Sequence, residues 1–326
     1  MKKYIMLLML GLIAISCATR PAPVNIILDT DLGPDFDDVG AMALMHALAD
    51  SGEVNILAVA SSNANELVIP CISVINHYFN RPDIPLGAPK GPSADMGDWH
   101  KVKWTEVLPA RYPHSAPKTS EADNAVTLYR RILSSQPDAS VTICTIGFLT
   151  NMRNLLESAP DQYSSLDGRS LVAAKVKRLV SMAGAFPEGS EYNVRVDSAA
   201  SVKVFAEWPS EIIFSGLEIG EKILTGKRLI AAPGIENSPI KDTYSLCLAE
   251  GDFDGRMSWD QTAVLVAIKG YGDYFNCERG RINVRESGYN TWTPSEDGPH
   301  VRLIHKHPPH EIASIIERYM MHLPVK

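Results

Sequence analysis

Ile26-Ile27-Leu28-Asp29-Thr30-Asp31-Leu32-Gly33-Pro34-Asp35-Phe36-Asp37-Asp38-Val39-Gly40-Ala41-Met42-Ala43-Leu44 is the stretch that decides the fold. Its apolar start reads as a buried strand. Gly33 and Pro34 mark a turn. Val39, Met42, Ala43 and Met45 then recur at helical spacing, with Asp37 and Asp38 in the first turn. Five carboxylates therefore sit between the C-terminal end of one strand and the start of one helix. In open α/β sheets that edge is where ligands bind. A helix N-terminus tolerates one or two acids through its dipole. Five acids so close repel one another without a cation, and a hard, oxygen-seeking ion such as Ca²⁺ meets that need. An EF-hand loop counted from Asp29 would require Glu at its twelfth position, where Gly40 stands.

The chain has 326 residues and 45% hydrophobic content, enough for a large core in one α/β domain. Met1-Lys2-Lys3, an apolar run from Tyr4 to Ile15 and small residues read as a secretory signal over 1–16. The run is too short to cross a bilayer as a mature helix. Ala14-Ile15-Ser16-Cys17 has the form of a bacterial lipobox, which predicts export, with a lipid anchor on Cys17 as the only membrane attachment. Residues 17–24 are a linker, and the domain proper is expected over 25–326. The net charge is −7 and becomes more negative once Lys2 and Lys3 are removed, which argues against nucleic acid as a partner. The five cysteines form no CxxC pair, so no zinc site is indicated. Cys71 and Cys144 lie in apolar stretches as packed thiols, and a disulfide among the last four cysteines stays open. A homo-oligomer is compatible with the sequence.

Further along, strands are expected at 55–60, 84–87, 140–146, 176–182 and 211–215. Helices are expected at 66–79, 122–135, 152–158 and 198–208. Residues 88–120 carry no clear period and read as a long binding loop. An apolar run follows Trp259-Asp260-Gln261. Two or three antiparallel strands around 283–304 and a closing helix from Pro309 to Met321 complete the chain. The alternation of strand, polar tip and helix implies a mostly parallel sheet. Asp31, Asn63, Thr150 and the stretch after Met182 are polar tips gathered at one sheet edge.

The turn Asp29-Thr30-Asp31-x-Gly33 with Asp37-Asp38, together with Gly147-Phe148-Leu149-Thr150-Asn151, Glu191-Tyr192-Asn193 with Asp197, and Trp259-Asp260, resembles the signature of the nucleoside hydrolases. The resemblance runs from about residue 25 to the C-terminus. It implies an α/β, Rossmann-like open sheet flanked by helices, with extra antiparallel strands near the C-terminus. It implies Ca²⁺-dependent hydrolysis of the N-glycosidic bond of ribonucleosides. Carried onto this chain, Asp31 binds Ca²⁺ and acts as base on the attacking water. Asp38 and Asp260 are further carboxylate ligands, and Thr150 contributes its backbone carbonyl. Asp37, Asn63, Glu191 and Asn193 hold ribose hydroxyls. The chemistry fits: a cation lowers the pKa of bound water, and nearby carboxylates stabilise positive charge on the ribosyl ring.

Two departures stand out. Pro34-Asp35-Phe36 occupies the place of one residue between Gly33 and the paired acids, so Asp35 is an alternative for either acidic role. The segment before Glu191 is shortened to Phe186-Pro187-Glu188-Gly189-Ser190, which puts one ribose contact in doubt. Where some family members carry a His as acid for the leaving base, this chain has Trp259, as in the purine-preferring branch, where it stacks on the base. Trp99 or Trp104 is the candidate for the opposite face, and His46, His100, His114 and His300 are the candidate acids. Two alternatives are a calcium-dependent nucleoside- or sugar-binding lipoprotein without turnover and a haloacid-dehalogenase-type phosphatase, which also begins strand-Asp-x-Asp.

Overall fold

The structure, a computed structural model, describes residues 22–325. The expected signal segment over 1–16 and Cys17 lie outside the described residues. In chain order the strands are β1 (Val24–Thr30), β2 (Val54–Ser61), β3 (Leu86–Ala88), β4 (Asp123–Asn124), β5 (Val141–Ile146), β6 (Val176–Met182), β7 (Glu188–Ser190), β8 (Glu211–Ser215), β9 (Leu224–Thr225), β10 (Arg256–Met257), β11 (Phe275–Val284), β12 (Tyr289–Pro294) and β13 (His300–His305). All but β9 and β10 form one sheet in the order β4-β3-β2-β1-β5-β6-β8-β13-β11-β12-β7. Pairing is parallel from β4 through β13. It is antiparallel from β13 through β11 and β12 to β7. The fold is therefore the expected mostly parallel sheet with an antiparallel extension built from the C-terminal strands.

The helices are α1 (Asp37–Asp50), α2 (Val68–Tyr78), α3 (Trp104–Arg111), α4 (Ala125–Ser135), α5 (Thr150–Leu156), α6 (Gly168–Lys175), α7 (Tyr192–Val196), α8 (Ser198–Glu207), α9 (Leu217–Gly220), α10 (Lys227–Ala231), α11 (Pro239–Leu248), α12 (Trp259–Lys269) and α13 (Pro309–Met320). The period of two along β1 sends Ile26 and Leu28 to one face and Ile27 to the other. The first face packs on α1, α2, α11, α12 and α13 through residues such as Met42, Ile72, Tyr244, Val264 and Ile316. The second packs on α4, α5, α6 and α8 through Leu128, Leu155, Leu171 and Val204. Helix α1 is buried from Asp37 to Leu48, as an all-round apolar helix must be. Among the described residues no helix is long and apolar enough to cross a membrane.

One expectation is corrected, and two features are added to the expected fold. Residues 88–120 are not structureless, because α3 and a 3-10 turn at Thr119–Glu121 lie within them. Helix α3 buries only Trp104, Thr105 and Leu108, too few positions to set up a period. The span from 216 to 257, left unassigned, holds α9, α10, α11 and the β9–β10 ribbon. Strand β13 is antiparallel to β11 but parallel to β8, so it joins the two parts of the sheet. Cys71, Cys144 and Cys247 are buried free thiols and Cys277 is an exposed one.

Candidate active site

Asp31 follows directly on β1, where the chain leaves the sheet. Gly33, at φ +133°, takes a backbone conformation open to glycine and turns the chain toward α1. The β5 tip presses against this turn: a Cβ on Gly147 would lie 2.5 Å from the Asp31 amide nitrogen. Phe36 precedes α1 without a side-chain cap, so the first helical turn is served by Asp37 and Asp38, both buried. The Asp38 carboxylate accepts from the Thr30 hydroxyl on β1. Carboxylate oxygens of Asp35, Asp37 and Asp38 lie within 4.8 Å of one another.

Helix α12 brings the second set. Its N-terminus meets that of α1, and the Asp260 amide donates to Asp37 Oδ2 at 3.2 Å. Burial, reinforced by the neighbouring carboxylates, holds Asp31, Asp37 and Asp260 well above the usual carboxylate range. Asp38 is raised to about 7 by burial first and then by Asp35. Oxygen donors in this number, desolvated and mutually repelling, are the chemistry of a hard-cation site, so the residues fit a divalent ion such as Ca²⁺.

One cation is built into the protein itself. Arg256, on β10, reaches Asp35 Oδ2 at 2.5 Å and Asp252 Oδ2 at 3.1 Å, with its Nε 3.9 Å from Asp37 Oδ1. Its guanidinium carbon lies 5.2 Å from the ring centroids of both Phe36 and Trp259. Asp35 is thus engaged with Arg256 while remaining beside Asp37 and Asp38.

These groups border a cavity of about 320 Å³, the size class of small-molecule sites. Asp31, Asp35, Asp37 and Asp260 line it together with Glu191, Tyr192, Asn193, Trp99, Trp259 and Arg256. The Trp259 indole N–H donates to Leu217 O at 2.8 Å, which fixes the ring. Trp99, 54% exposed, meets Tyr192 edge-on at 5.2 Å. Its loop is pinned to the rest of the site: Trp99 N donates to Pro34 O, the Asn63 amide donates to Met96 O, and Glu250 accepts from the amides of Lys101 and Val102.

The cavity therefore brings together Asp31, Asp37, Glu191, Asn193, Trp259 and Asp260, with Asp38 directly behind them. Glu191 caps α7, accepting from the amides of Asn193, Val194 and Gly184, and burial raises its pKa against those hydrogen bonds. Asn63 is placed otherwise. It is wholly buried, and its side chain donates to Asp31 O and Met96 O and accepts from Met96 N and Asn65 N. Its amide organises the loop around the cavity and does not line it. Thr150 opens α5 and its hydroxyl donates to Asp197 Oδ2 at 2.5 Å, while Ile146 is the β5-tip residue on the cavity wall.

Of the two tryptophan candidates, Trp104 is wholly buried under α3 and belongs to the core. No histidine lines the cavity. His46 stacks on Phe79 in the core, His100 is held by Asp98, His114 bonds to Ala116 O and His300 accepts from Ile282 N in the sheet. Sequence reading passes over Arg256, and it quotes Tyr192 and Asp29 within motifs without giving either a role. The Asp29 carboxyl, raised by burial to about 7, accepts from the Tyr129 hydroxyl and the Asn151 amide and ties β1 to α4 and α5.

A non-specific ribonucleoside hydrolase RihC from Klebsiella pneumoniae is 27% identical over 229 residues, 66% of either chain. An uncharacterized protein of Schizosaccharomyces pombe is 28% identical over 231 residues, 64% of this chain and 66% of its own. The chain thus spans just under two thirds of the length of these relatives. The fold matches that of an inosine-guanosine nucleoside hydrolase at TM-score 0.69, with 18% identity over 92% of this chain and 99% of the other. An inosine-uridine preferring nucleoside hydrolase from Bacillus anthracis matches at TM-score 0.67, with 17% identity over 91% of this chain and 99% of the other. The family model described as inosine-uridine preferring nucleoside hydrolase matches residues 26–310, and the chain belongs to that family.

Proposed function

We propose that this protein hydrolyses the N-glycosidic bond of ribonucleosides, purine nucleosides foremost, with Ca²⁺ as its cofactor. The observation that carries the reading is the meeting of Asp31, Asp37, Asp38 and Asp260 at the N-termini of α1 and α12, beside a nucleoside-sized cavity walled by Trp259, Tyr192 and Trp99. Asp31, Asp38, Asp260 and the Thr150 carbonyl would hold the ion, whose positive charge would acidify the attacking water and orient the sugar diol. Asp31 takes the proton from that water. Asp37, Glu191 and Asn193 hold ribose hydroxyls, and the negative charge of the two carboxylates favours the oxocarbenium character of the ring as the bond breaks. Trp259 stacks on the base.

Reducing-sugar release from a nucleoside panel, with and without a chelator, tests this. Inosine, guanosine or adenosine should be cleaved faster than uridine, and chelation should stop turnover until calcium is restored. Unchanged turnover in the chelator refutes the calcium assignment, and faster uridine cleavage refutes the purine preference. Nucleoside binding with no sugar released favours the binding-protein alternative.

A further inference from the structure

The leaving base departs with the electron pair of the glycosidic bond and needs a hydrogen-bond donor while that charge develops. No histidine supplies it here. The indole N–H of Trp259 is spent on Leu217 O and the Asn193 amide nitrogen on Met182 O; Arg256 gives its two terminal nitrogens to Asp35 and Asp252, while its Nε, without a hydrogen-bond partner, faces the Asp37 carboxylate at 3.9 Å. Tyr192 is different. It lines the cavity, and its hydroxyl is shielded from solvent and has no protein partner. An unpaired buried hydroxyl is costly, and a ligand acceptor removes that cost. Its ring is held by Trp99 at 5.2 Å and Phe148 at 6.0 Å, and its backbone by the Glu191 cap. The hydroxyl is thus fixed in place without being used.

We propose that the Tyr192 phenol is the hydrogen-bond donor to the departing base. The inference rests on the hydrolase reading above. As the C1′–N bond breaks, its electron pair passes to the base nitrogen system, and the O–H donates to that negative charge without losing its proton. The water oxygen bonds to C1′ and its proton goes to Asp31. The base takes a proton from bulk water, and the hydroxide left behind is neutralised by the proton that Asp31 releases.

Tyr192→Phe removes the hydroxyl and keeps the ring. Two substrates separate the roles: inosine, whose base needs a donor, and 4-nitrophenyl riboside, whose phenolate leaves unaided. The variant should lose about 100- to 1000-fold in kcat/KM on inosine, the usual range for one lost donor to developing negative charge. Its loss on the nitrophenyl riboside should be at least tenfold smaller, with bound calcium and Tm unchanged. Equal losses on the two substrates would make Tyr192 a sugar-site or packing residue and overturn the proposal, as would full activity on inosine. Wild-type protein that cleaves neither substrate overturns the hydrolase reading itself, a result distinct from either.

Discussion

Gly147 links the packing of the sheet to the placement of Asp31, and Gly147→Ala probes that link. The added Cβ would lie 2.5 Å from the Asp31 amide nitrogen, 2.6 Å from Ser62 Oγ and 2.7 Å from Asp31 Cβ. Carbon contacts are favourable at about 3.5–4.0 Å, so the β5 tip and the Asp31 turn must part by about 1 Å. Two of the three obstacles belong to Asp31 itself, one of them its backbone, and the third, the Ser62 hydroxyl, is tied to Thr30 O and Phe148 N. Overpacking of this kind costs about 1–3 kcal/mol of stability. A displacement of about 1 Å at a reacting group costs about a hundredfold in rate, or about 2.7 kcal/mol.

The assay compares kcat/KM on inosine, calcium affinity by calorimetry, and Tm for Gly147→Ala and for Gly234→Ala. The second is a control, since a Cβ at Gly234 meets nothing within 4 Å. Gly147→Ala should lose about a hundredfold in kcat/KM and bind calcium more weakly, with Tm lower by several degrees. Gly234→Ala should match the wild type. Wild-type kcat/KM in Gly147→Ala would refute the claim that Asp31 must stay where the glycine leaves room for it.

Asp38→Ala should abolish bound calcium and nearly all turnover, checked by metal analysis of the purified variant; full metal content would remove Asp38 from the ligand set. Trp259→Ala should slow inosine cleavage by about 5- to 100-fold, the worth of about 1–3 kcal/mol of base stacking, with calcium retained; undiminished inosine cleavage would end the stacking role. His46 has its pKa lowered to about 3 by burial and Arg81, so the unfolded chain takes up the proton first as pH falls from 6.5. Stability is full above pH 6.5 and declines toward pH 3 by at most about 5 kcal/mol from this group, and His46→Gln should flatten the acid limb of Tm against pH; an unchanged limb would assign acid lability elsewhere.

Much of the parallel half of the fold is legible because β1, β2, β5 and β6 are short, largely apolar runs, and β1 and β2 end on polar tips. Segments whose helices bury one to three residues, such as α3, α9 and α10, leave no period to read. At the site, residue type alone does not say how a side chain is spent. Asn63 has the chemistry of a ribose ligand, but its amide is consumed by backbone groups at positions 31 and 96. Trp99 and Trp104 stand five residues apart in one segment, yet one lines the cavity and the other is core. Arg256 meets Asp35 across 221 residues, a pairing that no local pattern announces.

That pairing explains the extended turn. The insertion of Pro34, Asp35 and Phe36 adds one negative charge and one aromatic ring beside an already acidic site. Arg256 takes up both: it pairs with Asp35 and stands 5.2 Å from the Phe36 ring, while Trp259 offers it a second ring at the same distance. The pairing holds strongly enough that the carboxylates raise the guanidinium pKa in spite of its burial. The added charge is therefore balanced within the turn's own surroundings. Asp37 and Asp38 keep the first turn of α1, facing Asp260 on α12. The longer turn leaves the acidic pair in helical register and sets a fixed cation and Trp259 together on one part of the cavity wall.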